Sequence, residues 1–563
     1  MKNILLVQYH LFIFFLIVFY SCKQSTKIPS AEAINSINLK KGTLVLCGPP
    51  DKELGIVSFQ VPGNKETIKD FNFAVALLHS FEYEESEKVF AQIIDKDPTC
   101  AMAYWGVAMC NYHPLWSPPG EAELKKGTKA LDVAASIEPK TERESDYIKA
   151  LQTFYSDWNT VDHHTRCLRY EKAMEQVYKK YPEDKEAAIF YALALDAAAD
   201  PADKSYVNQK KAGAILNTIY PNEPSHPGII HYIIHTYDYP GLAQLALPAA
   251  RKYALVAPSS SHALHMPSHI FIRLGLWNES IQSNLSSADA ARCYAQAAGI
   301  KGHWDEEIHA LDYLTYAYLQ KNETKLAMQQ CEYLDTFKAM YPVNFKVAYA
   351  FAAMPARYVL ENKLWKEAAS LKQNTSLPWQ KFPWENAITH FARLLGFVHI
   401  DQPDSARNEL QILNTLRDTL LAQKDAYKAN QVDIQIKAAQ GWIFWKEEKN
   451  KEALEYMKLA ADMEDKTEKH PVTPGEVLPA RELLGDMLLL MQKPGEALLA
   501  YEDDLQKHPN RFNGLYGAAT AAEKSGKTDV SKNYLKQLSL ITGKNITLNF
   551  REAEDKKLLT KGN

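Results

Sequence analysis

The chain has 563 residues, 46% of them hydrophobic and 23% charged. These are globular values at a length beyond which one core stops growing, so several domains or a repeat array are expected. With 64 basic and 68 acidic residues the formal charge is −4, and no basic stripe with interleaved aromatics occurs, which argues against nucleic acid as a partner.

Lys2 opens a short positive region, residues 4–20 are almost wholly apolar, and Ser21-Cys22 leads into polar Lys23-Gln24-Ser25. An apolar run this short, so flanked, reads as a signal peptide (residues 1–22) rather than a membrane helix. Phe19-Tyr20-Ser21-Cys22 resembles a relaxed bacterial lipobox, with Phe19 where Leu is usual, which makes Cys22 the lipidated first residue after cleavage; the alternative is a plain secretory peptide. Either way the chain is exported. No acidic run follows Cys22, so the expected place is the cell envelope: an outer-membrane lipoprotein facing the periplasm, touching the membrane through its lipid anchor only. The remaining cysteines, Cys47, Cys100, Cys110, Cys167, Cys293 and Cys331, form no C-x-x-C. No disulfide framework is readable from them, although one bridge is compatible with an oxidising periplasm.

Residues 23–65 read as a linker with a short extended segment, β-like at 43–46 and 55–61 and broken by Gly48-Pro49-Pro50. From Asp70 onward apolar residues recur at helical spacing. Asp97-Pro98, Glu138-Pro139, Tyr181-Pro182, Tyr220-Pro221 and Ala257-Pro258 each close a helix, with prolines 41, 43, 39 and 37 residues apart. The tetratricopeptide repeat (TPR), a helix–turn–helix of about 34 residues, carries this punctuation with longer turns. The clearest unit is residues 480–509, with Leu484-Gly485 at repeat positions 7 and 8, Ala497 at 20, Tyr501 at 24 and Pro509 at 32; Ala74, Ser86, Phe90 and Pro98 form a second. The expected fold is all-α, a TPR-type α-solenoid with a concave groove. It divides into an N-terminal array (66–337) bearing a His-rich groove, a C-terminal array (338–545) and a polar tail (546–563).

Eight of the 17 histidines lie between residues 226 and 309. His231 and His235 are four apart, as are His265 and His269, so each pair shares a helix face. Counting back from Pro258 as position 32 puts Pro227 at 1, His231 at 5, His235 at 9 and Asp238 at 12, with Gly241 in the inter-helix turn. The next unit puts His262 at 2, His265 at 5 and His269 at 9, and the one after it His309 at 2, Asp312 at 5 and Tyr316 at 9. Positions 2, 5, 9 and 12 line the concave face of such arrays. Packed helix axes are about 8–10 Å apart, so imidazoles from neighbouring first helices can converge on one ion. His231, His235, His265, His269, His309 and Asp312 are therefore candidate ligands of a divalent transition metal, with Zn, Ni, Cu and Fe all suited to imidazole and carboxylate. Pro267, inside the second of these helices, removes a backbone bond and should kink or restart it, which would re-aim His265 relative to His269.

The same register makes His262, Asp238, Tyr316, Trp105, Met109 and His113 candidates for the groove lining, although aromatics and Met at helical spacing more often pack in a core. His226 before Pro227 reads as a turn residue and His303 as structural; Glu482 and Asp486 read as a solvated face. Groove histidines also bind ligands without metal, or serve structure alone. No H-E-x-x-H, Gly-rich phosphate loop or G-x-S-x-G elbow occurs, so no catalytic residue is selected.

The blocks ALLHSFEYEES (76–86), CAMAYWGVAM (100–109), HPGIIHYIIHTYD (226–238), HALHMPSHIFIRLGLW (262–277), EIHALDYLTYAYLQ (307–320), MPARYVLENKLW (354–365), ITHFARLLG (388–396) and EKHPVTPGEVLPARELLGDML (468–488) resemble a bacterial family of tetratricopeptide-repeat proteins over residues 47–525. Glu82 stands where that family usually has Trp. The resemblance implies a repeat fold with the His-bearing helices as its hallmark, and it implies no substrate. The expected function is an exported, lipid-anchored repeat scaffold whose groove binds a protein, peptide or small ligand, through a metal held by the histidines. A metal-dependent hydrolase or oxygenase on the same cluster and a metal-free interaction scaffold are the alternatives.

Overall fold

The computed structural model describes residues 27–49, 54–200 and 202–550. The signal peptide with Cys22 and residues 551–563 of the tail lie outside the described residues. The fold is all-α, a TPR-type solenoid. Helices pair in sequence as antiparallel hairpins: Lys65–His79 with Tyr83–Lys96, Ala101–Cys110 with Glu121–Ser136, Glu142–Tyr155 with His163–Lys180, and so on to Phe512–Lys524 with Thr528–Thr542. The second helices end at Lys96, Ser136, Lys180, Ile219 and Val256, two or three residues before the prolines that punctuate the sequence. Proline has no N–H for a helix interior and disfavours helical backbone before it, so the chain turns there.

The small residues explain how hairpins stack. A Cβ on Gly485 would sit 2.7 Å from Cζ of Tyr501, and one on Gly106 would sit 2.3 Å from Cζ of Phe90. Each glycine is the socket for the aromatic ring of a second helix, so the repeat pattern is a packing rule. Apolar burial continues along the stack in overlapping blocks, over residues 37–271, 272–377 and 349–522.

The 43–46 and 55–61 segments are extended but join no sheet. Their backbone N–H groups are satisfied instead by hairpin groups: Val45 donates to Glu85 Oε2, Ile56 to the Ser225 carbonyl and Phe59 to Asn72 Oδ1. A disulfide joins Cys47 to Cys293, closing the N-terminal segment onto the helix Trp277–Ala297. Among the described residues the only paired strands are the two-residue His303–Trp304 and Met340–Tyr341. No helix among them is long and apolar enough to cross a membrane.

The concave face is not an open groove along the middle repeats. The loop between the helices Asn450–Asp465 and Ala480–Leu490 enters it. Lys469 reaches Asp238, the Val472 carbonyl accepts from Tyr313 Oη, and the Gly475 carbonyl accepts from both Arg357 and Tyr349. Further along, Trp277 Nε1 donates to the Asn510 carbonyl and Arg511 donates to Tyr316 Oη and Glu361. The solenoid therefore folds its last hairpins back onto its middle ones, and the inner helix Pro227–Thr236 is buried on every face.

Candidate functional site

Pro227 starts its helix as the first helical residue, and His226 caps it by accepting the Ile229 N–H on Nδ1. This sets His231 and His235 one turn apart on the inner face. The next inner helix is interrupted, as Pro267 requires, into Ser261–His265 and Pro267–Arg273. Met266 between them keeps helical angles (φ −51°, ψ −37°), so the lost bond does not part His265 from His269. Their Nε2 atoms are 3.1 Å apart.

Two three-histidine groups result. In the first, His235 Nε2 and His262 Nε2 lie 3.0 and 3.2 Å from His231 Nε2; the second is His265, His269 and His309. Two ligands about 2.0–2.1 Å from a tetrahedral metal are about 3.3–3.4 Å apart, so the observed spacings match a metal site to within a few tenths of an ångström. The groups adjoin through His235 and His269, whose ring centroids are 6.2 Å apart.

The outer nitrogens fix the tautomers. Asp238 accepts from Arg273 Nε and Lys469 Nζ, and its carboxyl also faces His269 Nδ1 at 3.1 Å. Burial opposes charge on Asp238, but Lys469, Arg273 and His269 hold its carboxyl well below the usual range. It is therefore an acceptor, and His269 Nδ1 carries the proton. His265 Nδ1 lies 2.7 Å from Asn284 Oδ1, and the Asn284 amide is oriented because its Nδ2 donates to the Ser280 carbonyl. His265 Nδ1 is thus also the protonated nitrogen. The two Nε2 lone pairs then face each other; Tyr313 Oη lies 3.4 Å from His269 Nε2 and makes its shorter contact, 3.0 Å, as donor to the Val472 carbonyl. A cation between the two lone pairs would satisfy both. In the first group His231 Nδ1 donates to the His79 carbonyl at 2.6 Å, leaving its Nε2 lone pair facing His235 and His262. Such outer partners are what orients metal-bound histidine. Burial pulls His231 down to about 3 and holds His235, His262, His265 and His309 well below their ordinary value, so these imidazoles are neutral at neutral pH.

A third group, His79, Glu186 and His226, is saturated by itself. Glu186 Oε2 and Oε1 each lie 2.9 Å from an imidazole Nε2, of His79 and His226 respectively, and His79 Nδ1 meets Tyr232 Oη at 2.9 Å. Every nitrogen has a protein partner, so this group is a brace between hairpins.

Several sequence expectations are corrected. Asp312 is no metal ligand: its carboxylate is 2.5 Å from Arg357 Nη1, a buried pair on another hairpin. Tyr316 is buried, and its hydroxyl is taken by Arg511. Trp105 and Met109 lie in the core, Trp105 edge-on to Phe59, Tyr147 and Phe190, and Met109 against Tyr170. His113 belongs to neither cluster; it packs against Tyr83 and lines a cavity that His262 also lines. Asp238 orients His269 instead of lining a groove, and His262 is a member of the first cluster. His226 joins the brace as well as capping its helix. Glu482 is buried against Arg511 instead of solvated, and Asp486 takes the Tyr501 hydroxyl. His303 is held by Glu307 and stacked on Phe337, outside both clusters. Sequence reasoning missed Asn284, Tyr313, Lys469 and the His79 carbonyl; Lys469 and His79 lie in the hallmark blocks 468–488 and 76–86, which is the signal that pointed to them.

No protein-family model and no curated protein matches the sequence. Among solved structures the chain is similar to a human IFIT1 dimer with m7Gppp-AAAA (TM-score 0.34, 12% identity, 86% of this chain and 92% of that one). It is also similar to the P58(IPK) TPR domain (TM-score 0.19, 12%, 82% and 99%) and to the APC/C hetero-tetramer Cut9-Hcn1 (TM-score 0.26, 11%, 87% and 96%). None of these likenesses transfers a site residue or an activity to this chain.

Proposed function

We propose that the chain is an exported, lipid-anchored helical-repeat protein of the bacterial cell envelope that holds divalent transition metal in its two three-histidine clusters and binds a ligand or partner through them. The observation that carries the metal reading is the pair of Nε2 lone pairs of His265 and His269, 3.1 Å apart with both outer nitrogens committed. His265, His269 and His309 would hold one ion and His231, His235 and His262 another. A bound ion would supply a Lewis-acid centre. The chain's own groups orient the imidazoles and exclude water. Export and anchoring rest on the apolar leader and Cys22, and the Cys47–Cys293 bridge suits an oxidising compartment.

Elemental analysis of the purified full chain tests the metal: zinc, nickel, copper or iron should be retained, and His269→Ala should lose it. If none is retained, and adding each leaves the melting temperature unchanged, the metal reading falls. Cys22→Ala should move the chain out of the membrane fraction.

A further inference from the structure

The two clusters differ in access. His265, His269 and His309 are all buried, whereas His262 is partly exposed and lines a cavity of about 170 Å3 with Phe81, Glu82, Trp116, Trp304, Glu306 and Lys346. This is below the roughly 300–1,000 Å3 of drug-sized sites, so its occupant is small. Phe81 and Trp116 line it and pack against His235 and His262, stacked or tilted, at centroid distances of 5.1–6.0 Å. Trp304 is anchored by Tyr294 at 4.3 Å. The wall carries two carboxyl groups, Glu82 and Glu306, and one ammonium, Lys346. Lys346 is already bound by Asp305 at 2.7 Å and Glu306 at 2.5 Å, while burial pushes the Glu82 carboxyl up to about 8, with Glu306 and Glu85 adding to the rise. Tyr83 and His113 complete the wall, edge to face at 4.6 Å.

Aromatic faces around a carboxylate are the environment that attracts an organic ammonium. We propose that this cavity binds a small organic cation, a protonated or quaternary amine, with its charge on Glu82 and its carbon skeleton against Phe81, Trp116 and Trp304. The site stands beside the first histidine cluster and does not require metal in it.

Isothermal titration of tetramethylammonium chloride into the metal-free full chain tests this, against sodium chloride at equal ionic strength, at about pH 9 so that Glu82 is ionised. Wild type should show saturable binding, and Glu82→Gln should weaken it about tenfold or more. Trp116→Leu should weaken it too, and it decides the matter if Glu82→Gln does not fold. No saturable binding, unchanged affinity in the deciding variant, or equal binding of sodium butyrate would overturn the proposal. Because metal is left out, failure here is separate from failure of the metal reading.

Discussion

The His79–Glu186–His226 group and the His265–His269–His309 group use the same side chains at similar burial and arrive at opposite chemistry. In the first, the carboxylate lies between the imidazoles and accepts from both, which closes the site. In the second, the carboxylate lies behind: Asp238 takes the outer nitrogen of His269 and turns its lone pair inward to meet that of His265. The position of one acid relative to the rings, and not the number of histidines, separates a closed brace from a group whose inner nitrogens are left facing one another.

The largest effect that sharpens this contrast is expected at the brace. Glu186→Gln leaves two buried imidazoles without their charged acceptor and should cost about 3–5 kcal/mol in denaturant unfolding, while metal content per folded molecule stays unchanged. A drop in metal content would mean that the brace is a third metal site.

Acid comes next. His231 sits near 3 against an ordinary 6.5, and burial lowers its neighbours as well. The unfolded chain takes up protons below about 6.5 that the folded clusters refuse, so the metal-free protein should lose stability as pH falls from about 6.5 towards 3. His508 runs the other way: burial opposes its charge, but Glu476 and Asp504 raise it to about 9. Its contribution is complete below about 6.5 and is lost as pH rises through about 9. Thermal melts across pH in wild type and in His508→Gln separate the two limbs.

Asp238→Asn should weaken metal binding about 10–100-fold, the usual cost of losing an outer partner, measured by competition with a chelator. Equal affinity would mean that the carboxylate serves packing alone. The smallest effect is expected at His303, which stacks on Phe337 outside both clusters: His303→Ala should change stability by about 1 kcal/mol or less and leave metal content untouched.

Much of the fold was legible because a repeat is local. Proline spacing, the Gly485–Tyr501 socket and the four-residue histidine spacing each depend on neighbours within one or two hairpins. The site was legible only as far as that locality reached. His231, His235, His262, His265, His269 and His309 lie in two adjoining groups of three, not around one point as expected, and Pro267 broke its helix without separating its histidines because Met266 kept helical angles. Asp312 failed because Arg357, 45 residues on, claims its carboxylate, and Trp105 failed because the 55–61 segment brings Phe59 over it.

The sequence by itself determined that the chain is a stack of helical hairpins and which turns of which helices carry histidine, since 3.6-residue periodicity and proline chemistry act over short range. Tertiary structure alone decided which imidazoles are saturated and which face one another. That choice depends on a loop more than 200 residues downstream: Lys469 is 231 residues from Asp238, and its charge, with that of Arg273, keeps the carboxylate ionised behind His269.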